Sequence, residues 1–101
     1  MNKQTKKPIN LDMYRAILTL KTLDECVNFF DDLCTVTELR AMEQRFQVAS
    51  LLEQGCIYNE ILQQTGASSA TISRVNRCLQ YGKDGYHMTL ERLKELDGEK
   101  A

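Results

Sequence analysis

The chain predicts an all-α fold of about six helices, on three observations. Its single proline, Pro8, and five glycines in 101 residues leave little to punctuate strands. Apolar residues recur at three- and four-residue steps through most of its length. Hydroxyl residues followed three positions later by glutamate stand at Thr22–Glu25 and Thr35–Glu38, each ahead of such a run, as capping boxes do. The length and the 43% hydrophobic content fit one small domain over residues 9–97, short enough for a second subunit to complete its core.

Taken in order, residues 1–8 form a polar, lysine-bearing arm ending at Pro8 and are expected to be disordered. Leu11, Tyr14, Ile17 and Leu18 place a first helix between Leu11 and Leu20. Thr22 opens a second, with Leu23, Cys26, Val27, Phe30 and Leu33 on one side and Cys34 at its close. Thr35 starts the longest helix. There Leu39, Met42, Phe46, Ala49 and Leu52 recur, Val48 and Leu51 widen the apolar face, and Gly55 stops the helix. A face that broad exceeds what one partner helix covers, which suits an interlocked helical dimer. Residues 81–86 read as a glycine-punctuated loop. A last helix carries Leu90, Leu93 and Leu96, and residues 98–101 are a polar tail.

The informative stretch is residues 57–80. Ile61 and Leu62 bury one side of a short helix, and Gly66 is its left-handed stop. Ala67 packs the corner and Ser68 caps the next helix. Ile72 and Val75 pin that helix to the body, leaving Ser69, Ala70, Ser73, Arg74 and Arg77 outward. Two short helices about a tight turn make a helix-turn-helix, whose second helix enters the major groove of DNA.

Charge placement agrees. The formal net charge is −1, and residues 8–39 hold two bases (Arg15, Lys21) against six acids (Asp12, Asp24, Glu25, Asp31, Asp32, Glu38). From Gly66 to Lys83 there are three bases (Arg74, Arg77, Lys83) and no acid. A positive face on a mildly acidic body is what phosphate binding requires, and a dimer would double it.

Other chemistries find no footing. Cys26, Cys34, Cys56 and Cys78 form no C-x-x-C pair, and His87 is the single histidine, so neither a metal site nor a disulfide framework is expected. No catalytic set can be assembled, so the chain is not expected to be an enzyme. His87 reads as a surface or capping residue. Without a signal peptide or a long apolar run, the expectation is a reduced cytoplasmic protein with no membrane attachment.

Residues 35–45 (Thr-Val-Thr-Glu-Leu-Arg-Ala-Met-Glu-Gln-Arg) and 65–75 (Thr-Gly-Ala-Ser-Ser-Ala-Thr-Ile-Ser-Arg-Val) resemble the Trp repressor family, closest to its YerC/YecD type. The likeness covers about residues 11–97 and is strongest between 35 and 80. It implies an intertwined homodimer with two protruding reading heads about 34 Å apart, spanning adjacent major grooves of a pseudo-palindromic duplex. By that likeness Ser68, Ser69, Ala70, Thr71, Ser73, Arg74 and Arg77 form the DNA-binding set, with Ser69, Ala70 and Ser73 nearest the base edges and Thr71 and Arg77 leaning toward the backbone. Small side chains at 69 and 70 let the helix enter deeply but read few bases, so water bridges and DNA shape carry much of the specificity.

In the family, two arginines sandwich the indole of bound tryptophan, and Arg45 and Arg74 occupy those positions. Val75 stands where the family has a space-leaving glycine, and Cys78 where a serine meets the ligand's amino group. A β-branched side chain intrudes on the indole and a thiol hydrogen-bonds poorly, so no tryptophan cofactor is expected. Arg45 and Arg74 are free to hold a different small-molecule effector, or none. The implied function is a transcriptional regulator, a repressor competing with polymerase for its site. The residues also admit a protein-interaction module, with Arg74 and Arg77 as a solvated face, or an accessory DNA-binding module in replication or recombination.

Overall fold

The computed structural model describes residues 10–100, with side chains to Gly98. The polar arm assigned to residues 1–8 lies outside them. Six helices follow in order: α1 (Leu11–Ile17), α2 (Leu23–Leu33), α3 (Val36–Glu53), α4 (Tyr58–Thr65), α5 (Ser69–Tyr81) and α6 (Gly85–Lys100). The described residues contain no strand. No helix among them is long and apolar enough to cross a membrane.

The chain divides into two compact units, one ending at Val36 and one beginning at Thr37. In the first, Asn10 caps α1 by accepting from the Asp12 amide at 2.9 Å. The helix ends at Ile17 rather than near Leu20. Both the amide and the hydroxyl of Thr19 donate to the Ala16 carbonyl, at 3.0 and 2.6 Å, which tightens the chain into a turn. Thr22 caps α2 by accepting from the Glu25 amide at 3.1 Å. The Glu25 carboxylate accepts from Lys21, one residue before the cap, at 2.9 Å. Neither α1 nor α2 contains a buried residue.

The second unit holds the core. Val48, Ala49, Ile61, Ala67, Ile72, Val75 and Leu90 are buried, and Leu51, Leu52, Cys56, Leu62, Leu79 and Tyr86 pack against them. These residues come from α3, α4, α5, α6 and the connections beside α4, so the helix-turn-helix is the centre of the core. Gly55, at φ +89°, ends α3: Cys56 donates to the Leu51 carbonyl and Gly55 to that of Leu52, the pairing of a Schellman motif.

Two expectations near the C-terminus are corrected. The loop expected over residues 81–86 shrinks to Gly82–Asp84, because α5 includes Tyr81 and α6 starts at Gly85. The polar tail is helical through Lys100. Gly85 stands at the first position of α6, outside the helix interior, and Gly98 within it costs only about 1 kcal/mol relative to alanine, which an otherwise helix-favouring segment absorbs. Thr89 bonds back to the Gly85 carbonyl at 2.8 Å.

Candidate nucleic-acid interface

Local chemistry shapes the helix-turn-helix. Ile57 offers no side-chain acceptor at the start of α4, so Glu60 satisfies the Ile57 amide from within the helix, at 3.1 Å. At the other end Gly66 adopts φ +72°, ψ 6°, and its amide donates to Leu62 at 2.9 Å. The Thr65 hydroxyl donates to the Ile61 carbonyl and accepts from the Ala67 amide, bracing the turn. Ser68 then caps α5, accepting from the Thr71 amide at 3.1 Å, and its hydroxyl also meets that of Thr71. Those two hydroxyls are already committed to the helix start.

Beyond the cap, the two faces of α5 separate. Ile72 and Val75 are buried, while Ser69, Ala70, Ser73, Arg74 and Arg77 are exposed and Thr71 is half-buried. The first turn of α5 carries no acid to offset the positive end of its dipole. Neither Arg74 nor Arg77 has a salt-bridge partner among the described residues. Guanidinium groups held in water, without internal partners, are available to an external anion.

The residues assigned to an effector differ in exposure. Arg45 is half-buried on α3, Arg74 is exposed, and Cys78 is an exposed free thiol. Val75 is 1% exposed and belongs to the core, so its isopropyl group is spent on packing. None of the four lines the concavities of about 680, 230 and 110 Å³ on this unit.

The largest of these is a shallow depression lined by Tyr58, Ser73, Asn76, Arg77, Gln80 and Tyr81. It pairs one guanidinium with phenols, amides and a hydroxyl, and contains no carboxylate. Sequence reading picked out Ser73 and Arg77 but missed the other four. The α5 members follow helical spacing and were legible as one stripe. Tyr58 joins them only because α4 packs against α5.

Two further residues make contacts between helices that sequence reading did not pair. Gln44 on α3 donates to the Thr65 carbonyl at 3.1 Å. His87, expected as a surface or capping residue, pairs with Glu53 and has Nε2 2.8 Å from the Leu79 carbonyl. The Leu79 carbonyl first, and the Glu53 carboxylate second, hold its pKa above the ordinary 6.5.

Comparison with known proteins agrees with this architecture. The family model described as Trp repressor protein matches residues 10–94. The uncharacterized protein YerC of Bacillus subtilis is 52% identical over 89 residues, covering 88% of this chain and 86% of that protein. A Staphylococcus aureus crystal structure, described as a candidate Trp repressor, superimposes with a TM-score of 0.84 at 49% identity, covering 93% of this chain and 95% of the other. A TrpR-like protein from Eubacterium eligens gives 0.83 at 48% identity, covering 92% and 96%.

Proposed function

Because the chain belongs to the Trp repressor family, we propose that it is a sequence-specific regulator of transcription that binds double-stranded DNA, a repressor reading a pseudo-palindromic site as a homodimer. One observation carries this reading: a helix-turn-helix, free of acids from Gly66 to Lys83, whose second helix exposes Ser69, Ala70, Ser73, Arg74 and Arg77 while Ile72 and Val75 anchor it. Ser69, Ala70 and Ser73 approach the base edges. Ser68 and Thr71 hold the helix start, and Arg74 and Arg77 meet phosphates. With such short side chains at the tip, water bridges and duplex deformability supply specificity.

Exposed apolar surface supports the dimer. Leu18, Leu23 and Val36 are 84%, 78% and 70% exposed, and α1 and α2 bury nothing within one chain. Surface of that kind is covered by a partner. A second copy also supplies the second reading head that a two-fold site needs. Tryptophan is not its effector, since Val75 is locked in the core and Cys78 offers only a thiol. A regulator of this kind works in the cytoplasm, beside the chromosome.

The test is selection of bound fragments from genomic DNA at two salt concentrations, with and without aromatic metabolites. Enrichment of a two-fold symmetric motif is expected in every arm. Recovery of no fragment above scrambled competitor, under all conditions, would favour a protein-interaction module.

A further inference from the structure

His87 lies in the first turn of α6 and meets two different groups. Its Nε2 is 2.8 Å from the Leu79 carbonyl oxygen, and its Nδ1 faces the Glu53 carboxylate. A carbonyl and a carboxylate only accept hydrogen bonds. A neutral imidazole carries one N–H and can satisfy only one of them, whereas the imidazolium carries two and satisfies both.

The placement gives that proton a task. Leu79 lies in the last turn of α5, where the final carbonyls have no amide ahead of them in the helix. The Gly82 amide takes the Cys78 carbonyl, and His87 takes the next one. Glu53 is the last residue of α3. One ring therefore joins the C-terminal ends of α3 and α5 to the start of α6, and its positive charge complements the helix end it touches. The charged groups around it are Glu53 from α3, Asp84 from the α5–α6 connection, and Glu91 and Lys94 from α6; α5 presents the Leu79 carbonyl. Acids outnumber the single base.

We infer that His87 is a positioning residue for DNA binding: as an imidazolium it fixes the far end of the reading helix to α3 and α6, and affinity for duplex falls when the ring loses its proton. The inference rests on the DNA-binding reading above. Its direction follows from the two acceptors that only the doubly protonated ring satisfies, and the raised pKa of the folded ring sets the pH window. The clamp is fully present below the ordinary value of 6.5 and is lost as pH rises through the folded value.

The experiment uses the full chain in two measurements, from about pH 6 to about pH 9. Proton NMR follows the single histidine ring, and fluorescence anisotropy follows a labelled duplex recovered by genomic selection. The ring should titrate above 6.5, and Glu53→Gln should lower its midpoint. Affinity of the unaltered protein should drop about fivefold across the ring's titration, at the low end of couplings between distant sites. His87→Gln should be pH-independent at the weaker level. His87→Lys, which keeps a charge and donors, should be pH-independent at a tighter one. A ring midpoint at or below 6.5 overturns the inference with no reference to DNA. A raised midpoint with identical affinity profiles for the unaltered protein and His87→Gln also overturns it, while leaving DNA binding intact. If no duplex is bound at any pH although the ring midpoint is raised, the DNA-binding reading has failed and the positioning role goes with it.

Discussion

Gln44, in the middle of α3, donates through Nε2 to the backbone carbonyl of Thr65 at 3.1 Å, across 21 residues of chain. Thr65 is the last residue of α4, so its carbonyl has no amide of its own helix to bond. The side chain thereby anchors the turn between α4 and α5 to the long helix α3.

Removing that anchor has a defined cost. Gln44→Leu should lower stability by about 1 kcal/mol, the net worth of a partly buried hydrogen bond. Urea denaturation would show the loss. Because the turn sets the entry angle of α5, duplex affinity should fall as well. Full retention of both would mean that the Gly66 turn holds its geometry alone.

The two exposed arginines should act through phosphate. Arg74→Ala or Arg77→Ala should each weaken binding to all duplexes alike and reduce the slope of log K against log salt by about one. Titrations at several salt concentrations measure this, with circular dichroism checking that the helices persist. Unchanged slopes would place both side chains off the DNA.

The depression beside Arg77 extends the same argument to α4. A carboxylate introduced at its edge by Gln80→Glu should repel the duplex and weaken binding about as much as loss of Arg77. Tyr58→Ala should weaken it less and without sequence preference, as expected for a contact that positions rather than reads. A variant at position 58 that changed the preferred motif would show a base contact instead.

Tryptophan at millimolar concentration should leave the melting temperature unchanged, since a ligand that bound the folded state would raise it. Val75→Gly should instead destabilise the protein by about 3 kcal/mol. It removes a fully buried side chain and places glycine in a helix. A saturable shift with the unaltered protein would contradict the packing of Val75.

Sedimentation at micromolar concentration should give twice the 11.6 kDa chain mass. Leu18→Glu and Leu23→Glu should shift the equilibrium toward single chains, by setting charge on surface that a partner covers. A monomer at high concentration would leave the exposed apolar side chains of α1 and α2 unexplained.

Signals carried by neighbouring residues were readable before any coordinates. Thr22 before Glu25, Gly66 after an amphipathic turn and Ser68 ahead of Ile72 each act over four or five positions. Backbone sterics and capping settle there whatever lies elsewhere. The same holds for the acid-free run from Gly66 to Lys83 and for the burial of Ile61, Ile72 and Val75. Where α1 stops and α6 starts was less legible, because Thr19 and Gly85 are tolerated in a helix or outside one, and hydrogen bonds with Ala16 and Thr89 decide.

Contacts between distant segments required the packed molecule. Gln44 with Thr65, His87 with both Glu53 and Leu79, and Tyr58 beside Arg77 join residues on different helices. Residue type alone gives none of these pairings. A polar side chain bonds to whichever acceptor packing brings within about 3 Å, and that is set by how the buried faces of α3, α4, α5 and α6 fit together. The chain therefore announced a helix-turn-helix, while the packing of its helices decided what braces that motif.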